Sequence, residues 1–450
     1  MSVSLIVLAA GQGTRMNSDL PKALHQVGAA PLLHHALRAG QALGPERVIV
    51  VAGHGAEAVT KAALAFDDTI TVVEQRDRLG TGHAVAQALP ALKDATGDAL
   101  ILYGDTPFIR AETLELMRAA RSRYSVIVLG FEAADPGRYG RLITQGDMLE
   151  RIVEFKDASP VERGITLCNS GVICADVAIL AGLVAAVGND NSAGEYYLTD
   201  IVGIARAQGL SAGVVICDEA ETLGINTRAE LAAAEAAFQA RARAEAFECG
   251  VSMTAPETVF FALDTFVGRD ALIGPNVIFG PGVTVETGAE IKGFCHLEGC
   301  HISRGATVGP FARLRPGTEL SEDVHVGNFV EIKNSTLAEG VKVGHLSYLG
   351  DAEVGEHTNI GAGTITCNFD GVMKHKTTIG PRVLIGSDTM LVAPVTVGAD
   401  AMTGSGSVIT TNVPAGALAI GRSRQDNKQG LAVKLLDRLR AIKAQRQKGV

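Results

Sequence analysis

Two hydrophobic periods divide this chain. Up to about Ile225, short apolar runs alternate with helical patterns: Ser4–Ala10, Val48–Gly53, Ala99–Tyr103, Ser125–Leu129 and Gly171–Ala175. Runs this apolar suit strands covered on both faces, with helices as crossovers, so a mostly parallel, doubly wound α/β sheet is predicted. Thr227 to about Glu248 is rich in Ala, Glu, Arg and Gln and lacks Gly and Pro, which predicts one continuous helix serving as a spacer. The resulting division is 1–226, a linker helix over 227–250, and 251–450.

Beyond Val251 an aliphatic residue recurs every six positions. The series runs Val267, Ile273, Phe279, Val285, Ile291 and Leu297; then, one residue early, Ile302, Val308, Leu314, Leu320, Val326 and Ile332. It continues through Leu337, Val343 and Leu349, then Val354 and Ile360, and resumes at Ile379, Ile385, Leu391 and Val397. Such a beat, with Gly beside many of the aliphatics, predicts a parallel β-helix whose inward residues stack from coil to coil. The turns account for the composition, 52 Gly in 450 residues against a usual ~7%. Thr366–Thr378 breaks the beat with polar residues, and an insertion in a solenoid maps to a loop on one face, often a binding face. At the end of the chain, Leu431, Leu435, Leu436, Leu439 and Ile442 follow a helical spacing, predicting a capping helix on the last coil.

Composition removes several functions. No apolar stretch is long enough to cross a bilayer, and Ser4–Ala10 has no basic residue before it, so it is predicted as a first strand rather than a leader or membrane span. Seven scattered Cys without a C-x-x-C pair fit a reducing cytoplasm better than zinc or redox chemistry. A net charge of −9 argues against nucleic acid as a partner, since that binding rests on phosphate neutralisation.

Candidate chemistry follows from position. Leu8-Ala9-Ala10-Gly11-Gln12-Gly13 leaves a strand, and without Cβ atoms at 11 and 13 main-chain N–H groups can approach phosphate oxygens. It matches neither G-x-G-x-x-G nor the P-loop, but Arg15 and Lys22 lie nearby. Tyr103-Gly104-Asp105 ends an apolar strand, where a carboxylate can hold Mg²⁺ against a triphosphate or cap the next helix. His345 stands beside Val343 in Gly344-His345-Leu346-Ser347-Tyr348; a lone His is more often structural than catalytic.

LAAGxGTRM, DLPK, LGTGHA, YGD, YGR, VEFKD, CNSG and GEYYLTD together resemble a nucleoside-diphosphate-sugar pyrophosphorylase. Joined to the hexapeptide beat with EIKN, GHLSYLGDAEVG and NIGAGTITCNFDG, nearly the whole chain resembles the bacterial bifunctional N-acetylglucosamine-1-phosphate uridyltransferase/glucosamine-1-phosphate N-acetyltransferases. The resemblance implies a Rossmann-like nucleotidyltransferase domain, a left-handed parallel β-helix and a homotrimer. Its substrates would be UTP, acetyl-CoA, glucosamine 1-phosphate and N-acetylglucosamine 1-phosphate. It also implies Mg²⁺ on Asp105 and Asn226, phosphate screening by Arg15 and Lys22, and uracil reading by Gln75, Gly80 and Thr81. Gly140, Glu154 and Asn169 fall on sugar-binding positions. In the β-helix it makes His345 the catalytic base, with Glu331 as its orienting group, and puts glucosamine 1-phosphate on Arg315, Lys333, Tyr348 and Asn359. Acetyl-CoA would be held by Ala362, Asn368, Phe369, Ser387, Ser405 and Arg422. Phe369, where many relatives carry Tyr, loses a hydroxyl contact, and Ser405 stands where some carry Ala. The rival readings are a single-activity sugar nucleotidyltransferase with a structural β-helix and a non-catalytic assembly subunit.

Overall fold

The computed structural model describes residues 2–448. They form two compact units: one gathers the chain up to Gly250 with Ala255–Thr265 and Ile278–Gly282, the other Val251–Thr254, Phe266–Val277 and the chain from Val283 onward.

The first unit is built on a nine-stranded sheet. Its main path runs Ala212–Cys217, Val126–Glu132, Leu167–Asp176, Asp98–Tyr103, Val3–Ala9, Arg47–Ala52, Thr71–Glu74. Pairing is parallel except at Leu167–Asp176, which runs antiparallel to both neighbours. Alternation along each strand feeds two cores: Ile6, Ile49 and Ile101 enter one, Leu5, Val50 and Leu100 the other. That is why these runs are apolar throughout, since both faces are covered. A hairpin of Arg141–Gln145 and Met148–Val153 joins this sheet and was not marked by an apolar run. Strand order reverses at Val3–Ala9, so a crevice opens at the carboxyl ends of Val3–Ala9 and Asp98–Tyr103.

The long helix spans Arg228–Glu248 and starts on a capping box, with Thr227 and Glu230 each bonding the other's main chain. It does more than span a gap. Ala234 and Phe238 are buried with Met16, Val27, Leu32, Phe108 and Ile225. Gly28, in the left-handed region at φ 54°, leaves room for the Phe238 ring, which a Cβ there would strike.

The second unit stacks parallel strands into the three sheets of a left-handed β-helix. One inward column runs Ile291, Val308, Val326, Val343, Ile360, Ile385 and another Leu297, Leu314, Ile332, Leu349. All are buried, as the six-residue beat requires. Between Ile365–Cys367 and Thr377–Ile379 the chain leaves the prism as a hairpin closed by an antiparallel bridge of Phe369 with Lys374. The terminal helix, Leu431–Lys448, departs from expectation: Leu435 is 51% and Leu439 61% exposed, so its apolar residues are not laid on the last coil. Among the described residues no helix is long and apolar enough to cross a membrane.

Candidate active sites

In the first unit the strand ends enclose a cavity of ≈ 360 Å³ lined by Leu8, Ala9, Ala10, Gly11, Lys22, Gln75, Gly80, Thr81, Tyr103, Gly104 and Asp105. Most positions expected for the nucleotide therefore share one wall. A Cβ on Gly11 would meet nothing within 4 Å, so it is open space, not protein packing, that lies over this residue. Gly13 is left-handed and close against Lys22. Gly80, also at positive φ, sits so near the Tyr196 carbonyl that no side chain fits. Gln75 donates to the Gly80 carbonyl at 3.0 Å, and Thr81 Oγ1 accepts from Leu198 N at 3.0 Å.

Two groups from distant parts of the chain converge at Lys22. Its ammonium pairs with the Asp105 carboxylate and donates to Asn226 Oδ1 at 2.7 Å, which also accepts from Arg15 at 2.9 Å. Two oxygen donors thus already face a single cation. Among the described residues no cluster of three His, Cys, Asp or Glu could hold a metal. The donor set fits a hard divalent ion that completes its shell with water and phosphate oxygens.

Gly140, Glu154 and Asn169 lie outside the lining but gather beside it. Asn169 N donates to the Gly140 carbonyl at 2.8 Å, and a Cβ on Gly140 would touch both Glu154 carboxylate oxygens at 3.5 Å. Burial raises the Glu154 pKa; a hydrogen bond from Thr199 opposes the shift, while Asp200 and Asp157 add to it. Tyr103 links this cluster to the cavity: burial pushes its phenol up, with Thr81 and Glu154 both within influence. Sequence reasoning assigned no role to Gln12, Arg78 and Glu195 in the lining; Gln12 and Glu195 sit inside the LAAGxGTRM and GEYYLTD motifs, and Arg78 lies outside every motif.

In the β-helix the expected residues fall along one edge of the prism. Leu346 N bonds the Asn328 carbonyl, Gly363 N the Leu346 carbonyl, Asp388 N the Ala362 carbonyl and Gly406 N the Ser387 carbonyl. His345, Ala362, Ser387 and Ser405 are therefore successive rungs of one corner, with Arg422 against the last of them. His345 is exposed, and its Nδ1 lies 2.7 Å from Asn328 Oδ1. Glu331, expected to orient His345, does not reach it: its carboxylate accepts from Arg315 at 2.8 Å. Asn328 takes that place because 17 residues make one coil here, so positions 328 and 345 stack in register. Subtracting one coil from His345 would have found it.

The adjoining face carries Arg315, Lys333 and Tyr348 in neighbouring strands. The Tyr348 hydroxyl and Asn368 both crowd Gly350, where a side chain would collide with them. The hairpin adds Lys374, another missed residue, whose contact and charge push the Lys333 pKa down, with Arg315 contributing and Asp351 opposing. Asp370 secures that hairpin by accepting from Val372 N, Met373 N and His375, which hold its carboxyl at about 2. Phe369 is exposed beside it. Asn359 is not brought to this face; it points outward from the neighbouring sheet between Lys342 and Leu384. Below His345 the same edge bears Phe294, Phe311, Phe329 and Leu346, each 45–61% exposed and left-handed at φ 50–61°. The three rings stack at 4.8 and 5.3 Å.

Comparison with known proteins agrees with this two-part construction. The MobA-like NTP transferase domain family matches residues 5–164, and the bacterial transferase hexapeptide (six repeats) family matches residues 376–411. The bifunctional protein GlmU of Cereibacter sphaeroides (strain ATH 2.4.1) is 74% identical over 447 residues, 99% of this chain and 98% of that protein. Those of Paracoccus denitrificans, 67% identical over 98% of each chain, and Ruegeria sp. TM1040, 65% identical over 100% of each, are similar along their whole length. With identity this high and coverage essentially complete, the chain belongs to the bifunctional GlmU family.

Proposed function

We infer that this chain makes UDP-N-acetylglucosamine by two reactions in separate sites. The β-helix transfers acetyl from acetyl-CoA to glucosamine 1-phosphate; the α/β unit transfers uridylyl from UTP to N-acetylglucosamine 1-phosphate and releases pyrophosphate. The observation that carries the reading is the presence of both constellations in one chain whose full-length relatives are named bifunctional. A single-activity enzyme with a structural β-helix would have no use for His345, Arg315, Lys333 and Lys374 arranged around one edge.

In acetyl transfer His345 is the base. If its Nδ1–H donates to Asn328, the Nε2 lone pair is free to take the proton of the sugar ammonium. The resulting amine attacks the thioester carbonyl, the C–S bond breaks, and the thiolate leaves to be protonated. Arg315, Lys333 and Lys374 hold the sugar phosphate, whose charge offsets the repulsion among them. Ala362, Asn368, Phe369, Ser387, Ser405 and Arg422 line the track for the thioester cofactor, and Tyr348 and Asn359 bind the sugar.

In uridylyl transfer the sugar phosphate oxygen attacks the α-phosphorus of UTP. The chain positions the reactants and neutralises charge. Mg²⁺ on Asp105 and Asn226 would supply further neutralisation of the phosphates. Gly11, Gly13, Arg15 and Lys22 cradle the triphosphate; Gln75, Gly80 and Thr81 read the base; Gly140, Glu154 and Asn169 bind the sugar. All seven Cys are unpaired, which supports a reducing, cytoplasmic setting.

A homotrimer is part of this reading. Left-handed backbone costs roughly 1–2 kcal/mol for each bulky residue, and the exposed Phe294, Phe311, Phe329 and Leu346 ladder needs a compensating contact. A neighbouring copy on this edge would supply it and would bring together sugar-binding groups that a single copy leaves on two faces. Light scattering on the purified chain should return roughly 140 kDa, that is 3 × 46.8 kDa, and the Phe311→Glu, Phe329→Glu double variant should fall toward 46.8 kDa with acetyl transfer lost and uridylyl transfer kept. A wild-type mass of one chain would exclude the trimer.

His345→Ala should lower acetyl transfer by about 10²-fold or more, read as thiol release without UTP, and leave uridylyl transfer intact. Asp105→Ala should do the reverse, read as pyrophosphate release. Loss of both activities in either folded variant would defeat the division into two sites.

Glu154 supplies a pH test. With its pKa raised by burial, its ionisation in the folded chain costs stability; the cost is absent below the ordinary carboxylate range and grows as pH rises through the shifted value. Glu154→Gln should therefore raise the melting temperature at about pH 8 but not at about pH 4, while weakening the KM for N-acetylglucosamine 1-phosphate. An equal stabilisation at both pH values would contradict the assignment.

A further inference from the structure

Arg78 lies outside every motif of the chain, yet it lines the nucleotide cavity with Lys22, Asp105 and Glu195. Its Nη1 donates to Gln12 Oε1 at 3.1 Å, and Gln12 is the middle residue of the Gly-Gln-Gly cradle. Among the described residues its guanidinium forms no ion pair, whereas Arg76, two residues earlier, is paired with Glu74. Of the other two cations near the cradle, Lys22 is paired with Asp105 and bonds Asn226, while Arg15, which is not part of the cavity lining, bonds the neutral Asn226 amide. The lining holds two carboxylates, Asp105 and Glu195, and two cations, Lys22 and Arg78; among the described residues only Lys22 of these two is paired with a carboxylate, which leaves the Arg78 guanidinium for a triphosphate entering here. A planar guanidinium offers two parallel N–H donors to phosphate oxygens.

We propose that Arg78 is a substrate-binding residue of the uridylyl site and grips the terminal phosphates of the nucleoside triphosphate, the part that leaves as pyrophosphate. This rests on the uridylyltransferase reading above. Gln12 holds the guanidinium over the cradle before the nucleotide arrives, so part of the ordering cost is met in advance. The contact is to the leaving group, so it persists with pyrophosphate alone and is absent with UMP.

The test is Arg78→Gln, which can still reach Gln12 but carries no charge, beside Arg78→Lys, in the full-length Mg²⁺-loaded enzyme. Arg78→Gln should raise the KM for UTP and the Kd for pyrophosphate by about tenfold, while leaving the Kd for UMP and the KM for N-acetylglucosamine 1-phosphate unchanged. Arg78→Lys should recover most of the loss, and the defect should shrink at high salt. Thiol release by the same samples in the acetyl assay reports on folding. An unchanged KM for UTP, or weakening of UMP as large as that of pyrophosphate, would overturn the assignment. If wild type itself forms no UDP-N-acetylglucosamine, the functional reading fails; if it does and Arg78→Gln behaves like wild type, only this inference falls.

Discussion

Coil registry in the β-helix is the constraint on which the acetylation half depends. Parallel main-chain pairing and an inward aliphatic column lock residues 17 or 18 apart in sequence into vertical neighbours. Position 327 shows how little slack there is, since a Cβ on Gly327 would run into the Gly344 carbonyl of the next coil. The same locking sets Asn328 beneath His345 and strings Ala362, Ser387 and Ser405 above it on one corner. A register slip of one residue would turn every outward group inward and dismantle the row. The proposed catalytic arrangement is thus a property of the stack as a whole.

The α/β unit solves a different problem with weaker contacts. Its strand ends deliver main-chain N–H groups and one carboxylate to a crevice, and Lys22 bridges Asp105 and Asn226 across it. With side chains 13% and 26% exposed, the Lys22–Asp105 pair gives up much of its hydration, and that desolvation offsets its Coulombic gain, so the pair is no structural lock. A metal–nucleotide carrying several charges can therefore displace or reshape it on binding, which suits a site that must open again after each turnover.

Legibility from sequence differed by the range of the physics involved. The inward residues of the β-helix were readable because each depends on a local six-residue beat, and Ile332 or Val343 announces itself without reference to anything distant. The apolar strands were readable because burial on both faces suppresses polar residues. Hidden features depended on long-range placement. The antiparallel direction of Leu167–Asp176 leaves no mark on composition, and the Arg141–Gln145 hairpin alternates too weakly to stand out. Glu331 was assigned to His345 on resemblance, yet the strand pairing turns it to Arg315. Arg78, Lys374 and Asn328 carry no motif; each becomes visible only once the fold sets it beside a cavity, a hairpin or a neighbouring coil.

Registry also fixes which nitrogen of the His345 imidazole faces Asn328 and which is left open. Nitrogen-15 NMR of the full-length protein labelled at histidine, with His345 assigned by comparison with a His345→Gln sample, reads this directly. In the neutral imidazole a protonated Nδ1 and a bare Nε2 are expected, because Asn328 Oδ1, 2.7 Å from Nδ1, can only accept. A proton resident on Nε2, with Nδ1 unprotonated, would contradict the coil-to-coil positioning of the proposed base.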